Sequence, residues 1–306
     1  MSYSKDLMES FTALDCNRMN WIAGFLESAG INPFLVRTGD SNHILVKFRP
    51  ESYNAMFKFK TVLVHYDRFP GSPGANDNSS SVLAVLDWAL RLKTWNGVHN
   101  VRIFFTDGEE MGGQSSAGVS SQGAYGLASL YKKMGITNDD IYVFDCCGRG
   151  TIPVLAQTDF SRLNPKSPFT RNFASLYERT KALLQIVSPH KWLNLPVPYS
   201  DNAGFLACGI PAVAITFLPA DEAQKYIKEL MKDKNLENAV MNRAKEESSL
   251  ARGKTQILPD FMYKEKMPMT WRLLHSQYDN VLSLNPESFE LMEKLLDTLA
   301  RQKFPA

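Results

Sequence analysis

Five short runs rich in β-branched and aromatic residues alternate with helical segments along the chain, and this alternation is its most restrictive feature. The β-rich runs are 44–48, 61–64, 101–106, 141–144 and 212–217, and apolar periodicity predicts helices over 5–29, 80–93, 122–134 and 171–187. Strands that alternate with helices form a parallel sheet covered on both faces. The sequence therefore predicts an α/β fold, a three-layer sandwich with a mostly parallel central sheet and helices on both faces.

Length and composition indicate one globular domain that spans residues 1–306. The chain has 306 residues, of which 44% are hydrophobic and 22% are charged, as in ordinary soluble proteins. Lysine and arginine number 34 against 32 aspartates and glutamates, without a dense basic run, so nucleic acid is not an expected partner. No apolar stretch reaches the roughly 20 residues of a membrane helix, and the first residues lack the apolar core of a signal peptide. We expect a cytoplasmic protein that does not bind membranes.

Residues 219–268 interrupt the alternation of strands and helices. This segment is rich in lysine and glutamate, and its apolar residues recur at helical intervals. The predicted apolar stripe consists of Ile227, Leu230, Met231, Leu236, Val240 and Met241. The pattern predicts a helical insertion, followed by a last helix that begins after Asn285 with Pro286 as its first residue.

Polar side chains follow three of the predicted strands. His65 follows the run 61–64, Asp107 to Glu110 follow 101–106, and Asp145 follows 141–144. Because parallel strands end at one carboxyl edge, where α/β proteins place their sites, we expect these side chains to lie close together. Asp67 stands two positions after His65. Its carboxylate can accept a hydrogen bond from the ring nitrogen that does not bind a metal, and this bond would fix the tautomer of a metal-binding histidine.

Two further acidic positions suit a metal centre. Asp77 lies in Gly74-Ala-Asn-Asp-Asn just before a helix, where an aspartate is most often a cap but can also bridge two metal ions. Of the adjacent Glu109 and Glu110, one can remain ionised against a metal while the other takes a proton from water. With His275, which precedes the last helix, the chain offers two imidazoles and three carboxylates, a set suited to zinc or manganese.

The ordered motifs resemble the zinc aminopeptidase family, which includes bacterial leucyl aminopeptidases, glutamate carboxypeptidase and animal-type glutaminyl cyclases. The matching motifs are His65-x-Asp67, Gly74-Ala-Asn-Asp-Asn78, Glu109-Glu110 after Phe104-Phe105, a strand ending in Asp145, Ser200-Asp201-Asn202, and His275-x-x-x-Asp279-Asn280. Two features depart from the family pattern. Asn202 stands where the family commonly has histidine, and the insertion at 219–268 is longer than in most members.

The resemblance implies a role for each candidate residue. It makes Asp77 the bridge between two zinc ions, with manganese or cobalt as possible replacements, and Glu109 the general base. The other implied ligands are His65 and Asp145 for one ion, and Glu110 and His275 for the second, with Asp67 as the partner of His65. A cis peptide bond is expected at Asp77-Asn78. The insertion would lie beside the cleft as a lid, a specificity wall or a contact in a homo-oligomer.

Three functions fit these residues. An aminopeptidase would use two metals to activate water and would remove N-terminal residues from a peptide or small amide. A glutaminyl cyclase would use one zinc; Ala124-Tyr125-Gly126 is similar to that branch, but Leu274 rather than tryptophan precedes His275. A non-catalytic binding scaffold is the third, although all five ligand positions and the base are filled.

Overall fold

The computed structural model describes residues 4–110, 118–241 and 263–306. Eight strands form one sheet in the order β1-β2-β4-β3-β5-β8-β6-β7. The strands are β1 Phe34–Thr38, β2 Ser41–Val46, β3 Lys60–His65, β4 Val101–Thr106, β5 Asp140–Phe144, β6 Ile152–Ala156, β7 Leu193–Leu195 and β8 Ala212–Leu218. The four central strands, β4, β3, β5 and β8, are parallel, whereas β1–β2, β2–β4 and β6–β8 pair antiparallel. The sheet is therefore mixed, with a parallel centre.

Helices cover both faces of the sheet, as the α/β prediction requires. The helices are α1 Lys5–Thr12, α2 Arg18–Ser28, α3 Ser80–Lys93, α4 Gly123–Lys133, α5 Pro168–Val187, α6 Asn202–Ala207, α7 Ala220–Lys232, α8 Met269–Arg272 and α9 Pro286–Arg301. Alternate residues of β3 show the two faces: Val62 and Val64 lie in the core with α3, α5 and α9, while Leu63 lies in the core with α4 and α6. No helix in the described ranges has the length and apolar character needed to cross a membrane.

The predicted helix over 5–29 is wrong in one respect, because the chain forms two helices there. Ala13 leaves the helical conformation with φ −53° and ψ 134°, which ends α1. The side chain of Asn17 then accepts a hydrogen bond from the backbone N–H of Asn20 and caps α2. An asparagine inside an apolar periodic pattern can mark the start of a new helix, and apolar periodicity alone does not detect it.

The insertion predicted at 219–268 is described only in part, since residues 242–262 lie outside the described ranges. Its first part contains α7, and Leu236 and Val240 are buried as the stripe predicts. Met231, which the stripe includes, is 82% exposed, because α7 turns Ala223 and Tyr226 inward instead. The assignment of 219–268 as an accessory within a single domain stays a prediction.

Candidate metal centre

His65, the last residue of β3, lies at the centre of the first group of predicted ligands. Its side chain is buried, and its Nε2 lies 3.2 Å from Oδ1 of Asp77 and 3.5 Å from Oδ1 of Asp145. On the other side of the ring, Nδ1 lies 3.5 Å from Oδ1 of Asp67. The parallel pairing of β3 with its neighbours β4 and β5 brings these residues to one carboxyl edge.

His275 forms a second group on the opposite side of Asp77. Its Nε2 lies 3.4 Å from Oδ2 of Asp77 and 3.0 Å from Oε2 of Glu110. The ring stacks on Phe69 with centroids 4.6 Å apart and an angle of 9° between the planes, which fixes its orientation. The two oxygens of Asp77 therefore face two different imidazoles.

The donor set fits metal ions. Two groups share Asp77, one with His65 and Asp145 and one with Glu110 and His275, and within each group the potential ligand atoms all lie within 4.8 Å of one another. Among the described residues, both ring nitrogens of His65 and Oε1 of Glu110 are buried without a hydrogen-bond partner. Buried polar atoms without a partner are rare in proteins. A bound cation would satisfy Nε2 of His65 and Oε1 of Glu110, while Nδ1 of His65 faces Asp67.

Glu109 lies in the same region as these ligands. A third compact group contains His65, Glu109 and Glu110. Geometry therefore brings both glutamates to the site, and the division of their roles belongs to the proposed function.

Backbone N–H groups hold several of these carboxylates in place. The carboxylate of Asp67 accepts hydrogen bonds from the backbone N–H groups of Glu109 at 3.3 Å and Glu110 at 3.0 Å. Asp279 accepts from the N–H groups of Asn76 at 2.8 Å and Asp77 at 3.0 Å. Asp67 thus connects the β3 loop to the turn after β4, and Asp279 connects the Asp77 loop to the His275 segment.

The peptide bond between Asp77 and Asn78 is cis, as the family resemblance predicts. The side chain of Asn78 donates from Nδ2 to the carbonyl of Phe144 at 2.9 Å and accepts from the backbone N–H of Cys146 at 3.2 Å. These bonds attach the Asp77 loop to both sides of Asp145. The two aspartates of the first group are consequently held by one hydrogen-bonded unit.

Crowded carboxylates change the acidity of the site. Burial favours the neutral form of Asp77, but the electrostatic attraction of the nearby His275 and His65 imidazoles outweighs it and holds the pKa of that carboxyl below its usual range. Burial raises the pKa of Glu109 well above its usual value and that of Glu110 to about 7, with the Asp77 charge adding to the latter. A cation placed among these groups would favour their ionised forms.

Two buried residues near Glu109 were not assigned a role from the sequence. Asp201 has no exposed surface and accepts a hydrogen bond from the hydroxyl of Thr106, and burial raises its pKa to about 7. Nε2 of Gln122 donates to Oε1 of Glu109 at 3.3 Å. Asp201 lies inside the motif Ser200-Asp201-Asn202, which is the signal that could have found it. No sequence signal marked Gln122.

The mixed α/β fold is that of the metallopeptidase class. The sequence profile of peptidase family M28 matches residues 44–299, and the chain belongs to that family. No curated protein sequence matches the chain.

Solved structures of similar fold include those of three bacterial proteins. The chain is similar to LapA of Legionella pneumophila with a TM-score of 0.60 and 16% identity, over 96% of this chain and 70% of LapA. It is similar to the glutaminyl cyclase of Porphyromonas gingivalis with a TM-score of 0.61 and 14% identity, over 96% and 95%. The similarity to BSAP, a zinc aminopeptidase from Bacillus subtilis, has a TM-score of 0.50 and 14% identity, over 85% of this chain and 49% of BSAP. At these identities the similarity shows the fold.

Proposed function

We propose that the chain is a zinc-dependent aminopeptidase that holds two metal ions and removes N-terminal residues from peptides or small amides. The observation that carries this proposal is the position of Asp77, whose two oxygens face His65 and His275. A carboxylate between two imidazole-containing groups is suited to bridge a pair of ions. His65 and Asp145 would complete one site, and Glu110 and His275 the other.

Bound zinc would supply a polarised scissile carbonyl and a more acidic water. Glu109 would accept a proton from that water and pass it to the leaving amine. The bond from Gln122 to Oε1 leaves the second oxygen of Glu109 available for the proton.

A glutaminyl cyclase is the second candidate. The observation that favours it is the match in length, since the Porphyromonas gingivalis cyclase aligns over 95% of its own chain while BSAP aligns over 49%. In that reaction the amine of an N-terminal glutamine would attack its own side-chain amide, and ammonia would leave. One metal would suffice to polarise the amide.

Metal content and substrate preference distinguish these candidates. The purified protein is analysed for zinc by mass spectrometry and assayed with aminoacyl amides and N-terminal glutaminyl peptides. About two zinc ions per chain and release of free amino acids support the aminopeptidase. About one ion with cyclisation of glutamine favours the cyclase, and a protein without metal or turnover would contradict both.

Replacement of Glu109 by glutamine tests the base directly. The amide keeps the shape of the side chain but cannot accept the proton, so we expect turnover to fall about 100- to 10,000-fold at unchanged zinc content. Glu290→Gln, at an exposed position of α9, is the matched control and should retain full activity. Wild-type turnover in Glu109→Gln would place the base elsewhere.

A further inference from the structure

Arg18, the first residue of α2, reaches from the N-terminal segment into the loop that carries two site carboxylates. This segment precedes residues 44–299, which match the family profile. Arg18 is 5% exposed, and its guanidinium donates from Nη1 to the carbonyl of Tyr66 at 3.0 Å. From Nη2 it donates to the carbonyl of Pro73 at 2.7 Å and to Oγ of Ser79 at 2.8 Å. All three acceptors lie in the loop 66–79.

The backbone of this loop is shaped around the guanidinium. Gly74 has a φ of 58°, in the left-handed region that favours glycine. A Cβ atom there would lie 3.3 Å from Nη2 of Arg18 and 2.5 Å from the carbonyl oxygen of Asp77. Any side chain at this position would therefore push the Asp77 backbone and the guanidinium away from their positions.

The guanidinium of Arg18 is buried, yet its positive charge has no ion-pair partner within the described residues. Phe11 lies under the guanidinium, with the ring centroid 4.8 Å from Cζ. The carboxylates that stabilise the charge from a distance are those of Asp67 and Asp77. A buried cation close to several carboxylates reduces their mutual repulsion.

We infer that Arg18 is a positioning residue for the metal centre, because it ties the loop 66–79 into the shape that presents Asp67 and Asp77. A planar guanidinium can bond several carbonyls of one loop at fixed angles, which a lysine ammonium cannot reproduce. Removal of such a supporting group commonly weakens metal affinity about 10- to 100-fold. The inference rests on the metal site of the proposed function but does not depend on which reaction the site catalyses.

Three variants test this role. Arg18→Met removes the charge and the hydrogen bonds, and Arg18→Lys keeps the charge alone. Arg68→Met is the control, because Arg68 lies in the same loop and is partly exposed, but its hydrogen bonds go to the N-terminal segment, to the carbonyls of Thr12 at 3.1 Å and Ala13 at 2.9 Å, rather than to the loop itself. Zinc affinity is measured by competition with a chelator, and hydrogen–deuterium exchange of the loop 66–79 is measured in zinc-free protein.

We expect Arg18→Met to raise the dissociation constant for zinc about 10- to 100-fold and to accelerate exchange in the loop. Arg18→Lys should give a smaller change in both, and Arg68→Met should stay within about twofold of wild type. Wild-type affinity and exchange in Arg18→Met would overturn the inference. If Arg18→Met does not fold, wild-type zinc affinity and loop exchange in Arg18→Lys would overturn the inference.

The exchange measurement keeps this test separate from the proposed function. Should the wild type bind no zinc, the proposed function fails, while loop exchange in the variants still decides whether Arg18 holds the loop 66–79 in shape. Should zinc bind and the variants behave as expected, absence of peptidase turnover would count against the reaction alone.

Discussion

Asp77 is the candidate ligand that the two groups share. Its oxygens face two imidazoles, its N–H is held by Asp279 at 3.0 Å, and its carboxyl group is almost fully buried. A carboxylate fixed in this way loses little conformational entropy when an ion binds, because its orientation already matches the bound state. Substitution at this position should therefore affect both proposed ions.

We predict that Asp77→Asn loses most of both zinc ions, since the amide keeps the volume but removes the charge shared by the two groups. Asp145→Asn is the matched comparison, because Asp145 contacts only the His65 group and its loss should leave about one ion per chain. Zinc per chain after gel filtration measures both. Full occupancy in Asp77→Asn would remove Asp77 from the ligand set.

The sequence predicted which residues meet at the sheet edge because His65, Glu109, Glu110 and Asp145 each follow a strand. Their roles as ligands and base remain predictions. The support given by Asp279 could not be predicted in the same way, since its bond to Asn76 joins residues 203 positions apart. Such a contact depends on how the segment before the last helix folds back onto the Asp77 loop, and periodicity does not encode that arrangement.

At the scale of elements, the β1–β2 hairpin is attached to the turn that carries the two glutamates. His43 of β2 is fully buried, its Nδ1 accepts from the backbone N–H of Asp107 at 3.2 Å, and its Nε2 lies 2.7 Å from Oγ1 of Thr38. Only the neutral ring can accept at Nδ1 while it donates at Nε2. Burial accordingly lowers the pKa of His43 from 6.5 to about 4.

This histidine should make the fold sensitive to acid. The unfolded chain binds the proton at a higher pH than the folded chain, so the contribution of neutral His43 is fully present above about pH 6.5 and is lost as the pH falls through about 4. Glutamine at this position can still accept and donate hydrogen bonds but does not titrate. We predict that the free energy of unfolding of His43→Gln falls less than that of the wild type when the pH is lowered from about 7 to about 4.5, by on the order of 2 kcal/mol. Urea unfolding at both pH values measures the difference, and equal losses would contradict the assignment.

The central elements were easier to predict than the edges of the sheet. Strand β4 matches its predicted range of 101–106, and α3 matches 80–93, because buried parallel strands and long amphipathic helices have continuous apolar patterns. Strands β1, β6 and β7 were not predicted. They have three to five residues each, and the burial of β1 and β7 is incomplete, so their patterns are short and mixed.

At the scale of the whole molecule, the insertion is connected to the metal centre by packing. The ring of Tyr226 in α7 meets Trp271 edge-on at 5.1 Å, and its hydroxyl donates to the carbonyl of Pro196 at 2.9 Å. Glu222 accepts from the backbone N–H of Thr270 at 2.7 Å. Trp271 stands four residues before His275, so the start of the insertion supports the segment that carries this imidazole.

Changes at the start of the insertion should therefore affect the His275 segment as well as the fold. We predict that Tyr226→Leu, which loses the ring pair with Trp271 and the hydrogen bond to Pro196, destabilises the fold by about 2 kcal/mol. It should also weaken binding of the ion held by Glu110 and His275 several-fold, because the His275 segment loses its packing partner. Met231→Leu on the same helix is the control, since that side chain is 82% exposed.

Urea unfolding and chelator titration of the zinc-loaded variants separate packing from metal support. If Tyr226→Leu is destabilised as expected but both ions keep wild-type affinity, α7 contributes to the core alone and His275 is held by Phe69 and its own loop. If the ion held by Glu110 and His275 dissociates more easily while the other ion is unchanged, the packing of α7 on Trp271 also supports His275. The ion held by the His65 group serves as the internal reference for zinc affinity. Its ligands lie at the ends of β3 and β5 and in the Asp77 loop, and none of them belongs to the segment that packs on the insertion.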